Sequence, residues 1–528
     1  MKTRLSGTLL WLTAALLVAA NVAVMWHSLT IMHFWEDEAF NLTVPRNLIA
    51  GWGYTSDGAL SGSQLTPFDT RISTGPIVLL PVAALLGLGL DPVMAARLIP
   101  LAYWVVLLGG LIVLGHRIAG RWGALVAAAT PLAFNTTEGI SPIQGPADLL
   151  GEIPAAAFIV WALVVLTGTR RRWWLAGLLV GLAVQTKLIA LLALPAFAVA
   201  LFILTPGTRR KRWARVLRSS LLPLAFVALP TLLFELAALA TLGLAGYYQH
   251  LRDLAWFMLS SGQIGEPTTI PQKIVVFAEA WFLPSIIVFA AAIVIAVAVG
   301  VAVRVGVGMG VGGFAGRAGF ESNAQDEHPD AASDDSAPSA EPARDVRIAL
   351  AAGAVVGLFA FVGWWAQASQ TPLWVRHPAV GVFAFTPIIA ATAVHAIRVL
   401  VVSARSPLRG SRRFTLRMLA ALAALAVATP LTAGAVGRVA QVGSPGPFAM
   451  TLESQREAIE PLAEWVHAND VEWLAANPWG ANVAAVVLTG AHVGLWDAPA
   501  MRNTPTLTNG ACPADILVEG RVYRICAR

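Results

Sequence analysis

The chain has 528 residues, 57% hydrophobic and 12% charged, with a net charge of +6 and 2 cysteines. Soluble proteins carry about 25% charged residues, and the apolar residues here fall in runs near the roughly 20 that cross a bilayer. Those runs are apolar on all sides, which excludes a soluble bundle of amphipathic helices. The excess of Arg and Lys reads as loop charge on the cytoplasmic side, so no nucleic-acid partner is implied.

The first span is Leu5–Ile31, preceded by Lys2 and Arg4, which predicts a cytoplasmic N-terminus. It is long and lacks a small-residue cleavage site, so it reads as an anchor and not a removed signal peptide. The stretch His33–Tyr54 follows, carrying Glu36, Asp37 and Glu38 in a row. Three adjacent carboxylates at a membrane surface are expensive to hold ionised together. The bland alternative is a solvated acidic corner at a helix end.

Basic clusters at His116–Arg121, Arg170–Arg172, Arg209–Arg218 and Arg405–Arg417 mark cytoplasmic loops. Spans at Met94–Gly115, Trp122–Thr137, Leu149–Leu166, Trp173–Thr186, Leu188–Leu204, Ser220–Gly243 and Ile274–Val303 alternate correctly with them. They do so provided that Gly75–Leu90, short and holding Pro76 and Pro81, lies in the interface or dips in and back. The alternative is that it spans and a later segment does not. With it outside, a first outer loop runs over 32–91.

Residues 317–347 are rich in Ala, Ser, Asp, Glu and Pro and poor in large apolar side chains, which predicts a disordered cytoplasmic loop. The preceding Gly/Val run has no Lys-Ser/Thr ending, so it is not a phosphate-binding loop. Spans at Val346–Trp365, Pro378–Val401 and Leu416–Val436 complete the bundle. Beyond 443 the apolar runs stop. Met450–His467 reads as an amphipathic helix, and Val471–Leu474, Val493–Trp496 and Ile516–Ile525 as strands. Cys512 and Cys526 flank a strand, and in an oxidising compartment a disulfide is the natural reading.

The expected architecture is therefore an all-α polytopic membrane protein. A bundle of about eleven transmembrane helices with a long outer loop (1–442) precedes a small C-terminal extracytoplasmic α/β domain (443–528).

The ionisable residues then sort by side. Facing outward are Glu36, Asp37, Glu38 and Arg71, then Glu138, Asp148 and Glu152, then Lys187, His250, Arg252 and Lys273, and finally Arg376 and His377. Acidic and basic groups sharing one face suit an alcohol nucleophile and a phosphate leaving group. A carboxylate takes the hydroxyl proton, and cations hold the departing phosphate, Arg best through its forked donors.

At this point the chain resembles a family. Asp37-Glu38-Ala39 after the first span followed by GWGY, MAARLIP around Arg97 followed by HRIAGR, AGLLVGLAVQTKLIALLALP around Lys187 and WVRHPAVGVFAFTPIIA around Arg376 are its quoted segments. Together they are similar to the C-type membrane glycosyltransferases that use polyprenyl-phosphate sugars, such as protein O-mannosyltransferases and lipid A aminoarabinose transferases. The resemblance covers Leu5–Leu400, and His377 departs from the aromatic residue common in the family.

It implies a GT-C-like fold and an inverting transfer from a polyprenyl-phosphate sugar donor to an acceptor hydroxyl. It also implies a multi-pass location in a bacterial inner (plasma) membrane, with the active site and C-terminal domain outside. Asp37 would be the base and Glu38 would orient acceptor or base. Asp148 or Glu152 would be the acidic partner or metal ligand, and Arg376, Lys187, Arg252 and Lys273 would bind the donor phosphate. Some members bind a divalent metal and others do not; magnesium, manganese and calcium all suit oxygen ligands, and the cofactor stays unknown. The acceptor, whether glycan, lipid or protein, and the sugar are not encoded in any readable motif.

Each residue also has a structural alternative. Asp37 could cap the helix after it, Asp148 the next span, Lys187 could snorkel, and Arg376 could anchor at the interface beside Trp374. His377 reads better as a packed histidine than as a catalyst. Two other classes compete, a transporter or flippase and a non-catalytic envelope-assembly protein. Against transport, the charges gather in loops, with Glu235 the exception within a span.

Overall fold

The computed structural model describes residues 2–58, 64–134, 143–170, 172–260, 268–308, 341–367, 374–405, 410–443 and 450–528. Helix α1 (Lys2–Thr30) leads into α2 (Glu36–Ile49), a short ribbon of β1 (Thr55–Asp57) and β2 (Leu65–Pro67), and α3 (Pro76–Gly87). The apolar helices that follow are α4 (Pro92–Ala129), α5 (Glu152–Leu166), α6 (Trp173–Thr186), α7 (Leu194–Leu204), α8 (Arg209–Ser260), α9 (Ile270–Trp281), α10 (Ser285–Gly308), α11 (Glu341–Gln367), α12 (Ala379–Ser403) and α13 (Gly410–Gly443). Then come α14 (Leu452–Ala468), β3 (Trp473–Ala476), α15 (Trp479–Thr489), β4 (His492–Leu495), β5 (Thr506–Thr508), β6 (Ile516–Glu519) and β7 (Arg524–Cys526).

Among the described residues, 7 helices are long and apolar enough to cross a membrane, and α3, α5, α6 and 188–204 are shorter apolar helices. One of the seven, α4, is a hairpin. Gly120 takes a left-handed φ of 69°, and a side chain on Gly115 would strike the carbonyl of Gly123, so the two arms lie back to back. The turn falls within the basic segment His116–Arg121, as its charge requires. With α4 counted as two arms, the order matches the alternating spans read from the sequence, and the protein is an integral multi-pass membrane protein.

Three boundaries differ from expectation. The segment Ile274–Val303 is two helices, α9 and α10, broken where Phe282 leaves helical geometry and Pro284 follows; Pro disfavours helix for the residue before it. Residues 244–260 are helical, continuing α8 beyond a break at Gly243 (φ 65°), which brings His250 to 3.4 Å from Glu235. Residues 341–347, expected to be disordered, form the start of α11. The apolar segment from Val346 has already met the cost of nucleation, and adding residues to a formed helix is cheap. The remainder of that expected loop, and Glu138, lie outside the described residues.

Helix α3 does not join the bundle core. Its Val78, Leu79 and Val82 pack in one cluster with Phe34 and Leu42 from the first loop and with Leu462, Val483 and Leu507 from the C-terminal region. The C-terminal region is a sheet of order β4-β3-β5-β7-β6. β3 pairs in parallel with β4 and β5, and β7 is antiparallel to β5 and β6. Helix α15 and strand β5 were not foreseen, and Ile516–Ile525 is a hairpin turning at Gly520, not one strand. Cys512 and Cys526 are disulfide-bonded with Cα atoms 5.6 Å apart.

The sheet region is bonded directly to the loop that carries the acidic run. Gln455 closes a two-way pair with the Phe34 backbone, accepting from its N–H at 2.7 Å and donating to its C=O at 2.7 Å. Asp57 accepts from Val493 N–H at 3.1 Å and meets His492 Nδ1 at 3.0 Å. Arg46 donates to the carbonyl of Val487 at 3.0 Å, near the C-terminal end of α15 where a cation is favoured. Gln455→Leu keeps the volume and strands two buried backbone groups, each costing about 1–3 kcal/mol. A thermal melt in detergent is expected to fall by several degrees, and an unchanged midpoint would show that the docking is held elsewhere.

Candidate active site

Glu36, Asp37 and Glu38 occupy the first turn of α2, whose N-cap is Trp35 with no side-chain cap. Acidic residues are favoured there by the helix dipole, and Asp37 does not act as the cap. Successive residues on a helix point about 100° apart, so the three carboxylates face three different surroundings.

Glu38 faces inward and is fully buried. Arg97 of α4 grips it with two bonds, Nε to Oε1 at 3.1 Å and Nη2 to Oε2 at 2.9 Å. The same guanidinium donates to the carbonyls of Met32 and His33, both at 2.8 Å, and Leu149 N–H donates to Glu38 at 3.3 Å. Of the two roles expected for Glu38, orienting an acceptor does not fit its burial, and orienting Asp37 remains, through the way Glu38 fixes α2. Glu38 touches no open surface, and its carboxylate ties the first loop to α4 and to the segment before α5. Arg97 entered the sequence reading only as part of a motif.

Asp37 faces the other way and forms an ion pair with Arg376 from the segment before α12. Arg376 Nε lies 3.8 Å from Glu152 at the start of α5, and Glu152 is 2.8 Å from Lys187 Nζ. Lys187 donates to Ser73 Oγ at 2.8 Å. Side-chain exposure along this chain is 30% for Asp37, 19% for Arg376, 1% for Glu152 and 12% for Lys187, so its buried point is Glu152 between the two cations. The Arg376 guanidinium sits over Trp35 and Trp374, 5.5 and 5.8 Å from the ring centres, a placement worth roughly 0.5–2 kcal/mol per ring.

Two glycines make this convergence possible. A Cβ on Gly75 would lie 1.8 Å from the Gln185 carbonyl, and one on Gly151 would lie 2.3 Å from the Thr186 carbonyl. Their absence lets the end of α6 press against the first loop and the start of α5, which delivers Lys187 to Glu152.

The other expected residues are elsewhere. Asp148 is buried and accepts from the N–H groups of Gln144 at 2.9 Å and Gly145 at 3.1 Å, closing its own loop. Burial, and then the Glu38 charge, push its carboxyl up to about 8. Of the two residues expected as acidic partner, Asp148 closes its own loop, and Glu152 meets Arg376 and Lys187. Lys273 is buried on α9, donating to the Trp365 carbonyl at 3.2 Å with its ammonium 5.7 Å from that ring centre. Arg252 is exposed on the last part of α8. Neither joins the Asp37–Arg376–Glu152–Lys187 chain. His377 packs against Trp364 and Trp374. Burial and then the neighbouring Arg376 lower it to about 3, so it is neutral.

Glu36 is half-buried, with its carboxylate against Gly480 at the start of α15. Burial first, then the Asp37 charge, raise it to about 7, with Arg376 opposing.

Among the described residues, the donor set does not fit a divalent metal. Asp37 and Glu152 are both matched to cations, and among the described residues no three His, Cys, Asp or Glu side chains gather as a metal site. An oxygen-seeking ion would have to displace Arg376 or Lys187.

No family model matches the chain, and no curated protein matches it by sequence. Solved structures do. ArnT from Cupriavidus metallidurans in the apo state aligns at TM-score 0.55 with 11% identity, over 97% of each chain. The same protein bound to undecaprenyl phosphate aligns at TM-score 0.54 with 12% identity, again over 97% of each. The oligosaccharyltransferase AglB from Archaeoglobus fulgidus, in complex with an inhibitory peptide and a dolichol-phosphate, aligns at 0.50 with 11% identity over 92% of this chain and 64% of that one. The chain thus has the C-type glycosyltransferase fold, as the sequence resemblance led one to expect.

Two outcomes test this geometry. Arg97→Met or Glu38→Gln alone should cost about 3–5 kcal/mol by stranding a buried charge, seen as loss of the monodisperse protein on gel filtration. Arg97→Met with Glu38→Leu should recover much of the loss; three indistinguishable profiles would dismiss the pair as the tie. Glu36→Gln should melt like the wild type below about pH 4.5 and be more stable above about pH 7. In the wild type the protonated form favoured by the fold is lost as pH rises between the ordinary carboxyl value of 4.5 and about 7. A stability difference that shrinks with rising pH would contradict the burial of Glu36.

Proposed function

We propose that the protein is an inverting glycosyltransferase that moves a sugar from a polyprenyl-phosphate donor to an acceptor hydroxyl on the extracytoplasmic side of the membrane, in a bacterial inner membrane. The observation that carries this reading is the Asp37–Arg376 ion pair, a reachable carboxylate bonded to a cation that a second cation, Lys187, joins through Glu152. Support comes also from the fold shared with ArnT and AglB, whose structures hold undecaprenyl phosphate and dolichol-phosphate.

The steps follow from charge. Asp37 and Glu152 together balance Arg376 and Lys187, so the resting cluster is close to neutral. An arriving lipid phosphate competes with Asp37 for the forked donors of Arg376. Its capture releases the Asp37 carboxylate into the space above the sugar. The acceptor O–H then gives its proton to Asp37 while its oxygen bonds to the anomeric carbon and the bond from that carbon to the phosphate oxygen breaks. The lipid phosphate leaves with the bonding pair, stabilised by Arg376 and Lys187. One displacement inverts the anomeric centre. Glu152, buried between the two cations, sets their spacing. His377, being neutral, adds packing and no charge.

A transporter would need charged or polar groups staged through the spans. Here the connected cluster lies at one end of α5, α6 and α12, the arrangement of a site at one membrane face.

Asp37→Asn keeps the shape but cannot take a proton, so transfer from a polyprenyl-phosphate sugar by purified protein should fall about 10²–10⁴-fold. Arg376→Ala should raise the donor concentration needed, with Arg376→Lys restoring a part, because a point charge lacks the fork. Turnover should persist in a chelator. Full activity of Asp37→Asn would remove Asp37 as the base, and abolition by chelator with rescue by a divalent ion would place a metal where Arg376 and Lys187 are assigned the work.

A further inference from the structure

A large cavity lies away from the Asp37 site. It has a volume of 1420 Å³ and is walled by α4, α10, α11, α12 and α13. Small ligands occupy pockets of about 300–1,000 Å³, so this one exceeds what a sugar or nucleotide fills. Its wall is apolar along α10 from Ile287 to Val303, a length of roughly 24 Å at 1.5 Å per residue.

Among the described residues, the ionisable ones that line it are all basic, namely His116, Arg117, Arg344, Arg347, His395 and Arg398. They come from the turn of the α4 hairpin, the start of α11 and the end of α12, which topology brings to one end. Along α12, Arg398 lies about 29 Å from Ala379, close to the roughly 30 Å of a bilayer's hydrocarbon. The basic end is therefore at the membrane face opposite Asp37. Two of the guanidiniums are held in place, Arg398 by the Ala119 carbonyl at 3.1 Å and Arg117 by the Val164 carbonyl at 2.7 Å and Thr167 Oγ1 at 2.9 Å. Gathered like charges repel one another until an anion sits among them.

We propose that this cavity binds an anionic phospholipid, its phosphate among Arg117, Arg347 and Arg398 and one acyl chain along α10. The combination of a cationic rim at headgroup depth and an apolar wall running into the hydrocarbon matches that amphiphile in both parts. A zwitterionic lipid would bring a second cation into an already cationic rim. The site is distinct from the Asp37–Arg376 cluster and does not depend on the transfer reaction.

Native mass spectrometry of the purified full-length protein, titrated with phosphatidylglycerol or phosphatidylcholine, tests this. The wild type should retain one phosphatidylglycerol in preference to phosphatidylcholine. Arg347→Gln with Arg398→Gln should weaken that retention about 30-fold, two basic side chains each contributing on the order of fivefold. Ala292→Phe, which narrows the apolar wall and leaves the charges alone, should weaken it too, by denying the chain its place. Equal retention of both lipids, or phosphatidylglycerol binding untouched by Ala292→Phe, would overturn the site. So would binding that emerges only when the acidic residues within 321–335 are replaced by Gly and Ser, which would make that segment the occupant of the basic end.

Discussion

The buried Glu38–Arg97 pair is the constraint on which the rest of the site depends. An isolated charge at either position would be prohibitive in apolar surroundings. Paired, and with Met32, His33 and Leu149 backbone groups completing the shell, it welds the first loop to α4 and to the entry of α5. It also sets the rotation of α2. Once Glu38 points inward, helical geometry sends Asp37 toward Arg376 and Glu36 toward Gly480. The apparent excess of three adjacent carboxylates becomes a division, with one anchoring α2, one paired with Arg376 and one packed against the C-terminal region.

Charge balance organises what remains. Asp37, Arg376, Glu152 and Lys187 alternate in sign, so the cluster is balanced within itself, and on the proposed reading one anion exchanges for another there. The aromatic rings of Trp35 and Trp374 sit against the Arg376 guanidinium. Contacts from the C-terminal sheet to Phe34, Arg46 and Asp57 hold the same helix from its other side. On the proposed reading, that sheet bounds the space where an acceptor would stand.

Much of this was legible in the chain. Long apolar runs and basic loops are strong signals, and they placed the apolar helices, the short α3 among them. The acidic run, Lys187 and Arg376 were singled out because ionisable side chains are costly at a membrane. What the sequence could not supply was pairing. Glu38 and Asp37 are neighbours with the same chemistry, and only the partner contributed by α4, fifty-nine positions from Glu38, distinguishes them. A lone Arg within apolar MAARLIP was a usable clue, since a buried guanidinium demands a carboxylate. Asp148 and Glu152 were likewise inseparable by composition. Their roles diverge because Asp148 folds back on its own loop while Glu152 meets the end of α6, a contact licensed by the missing side chains of Gly75 and Gly151. Helix α15 and strand β5 escaped notice because short elements in a small mixed sheet carry little periodicity.

The central claim is that lipid phosphate and Asp37 compete for Arg376. It is tested most directly by measuring polyprenyl-phosphate binding to purified wild type and Asp37→Asn side by side. Removing the competing charge while leaving Arg376 intact should tighten binding of the lipid phosphate even as transfer is lost. Weaker or unchanged binding by Asp37→Asn would contradict the exchange and leave the ion pair a structural tie.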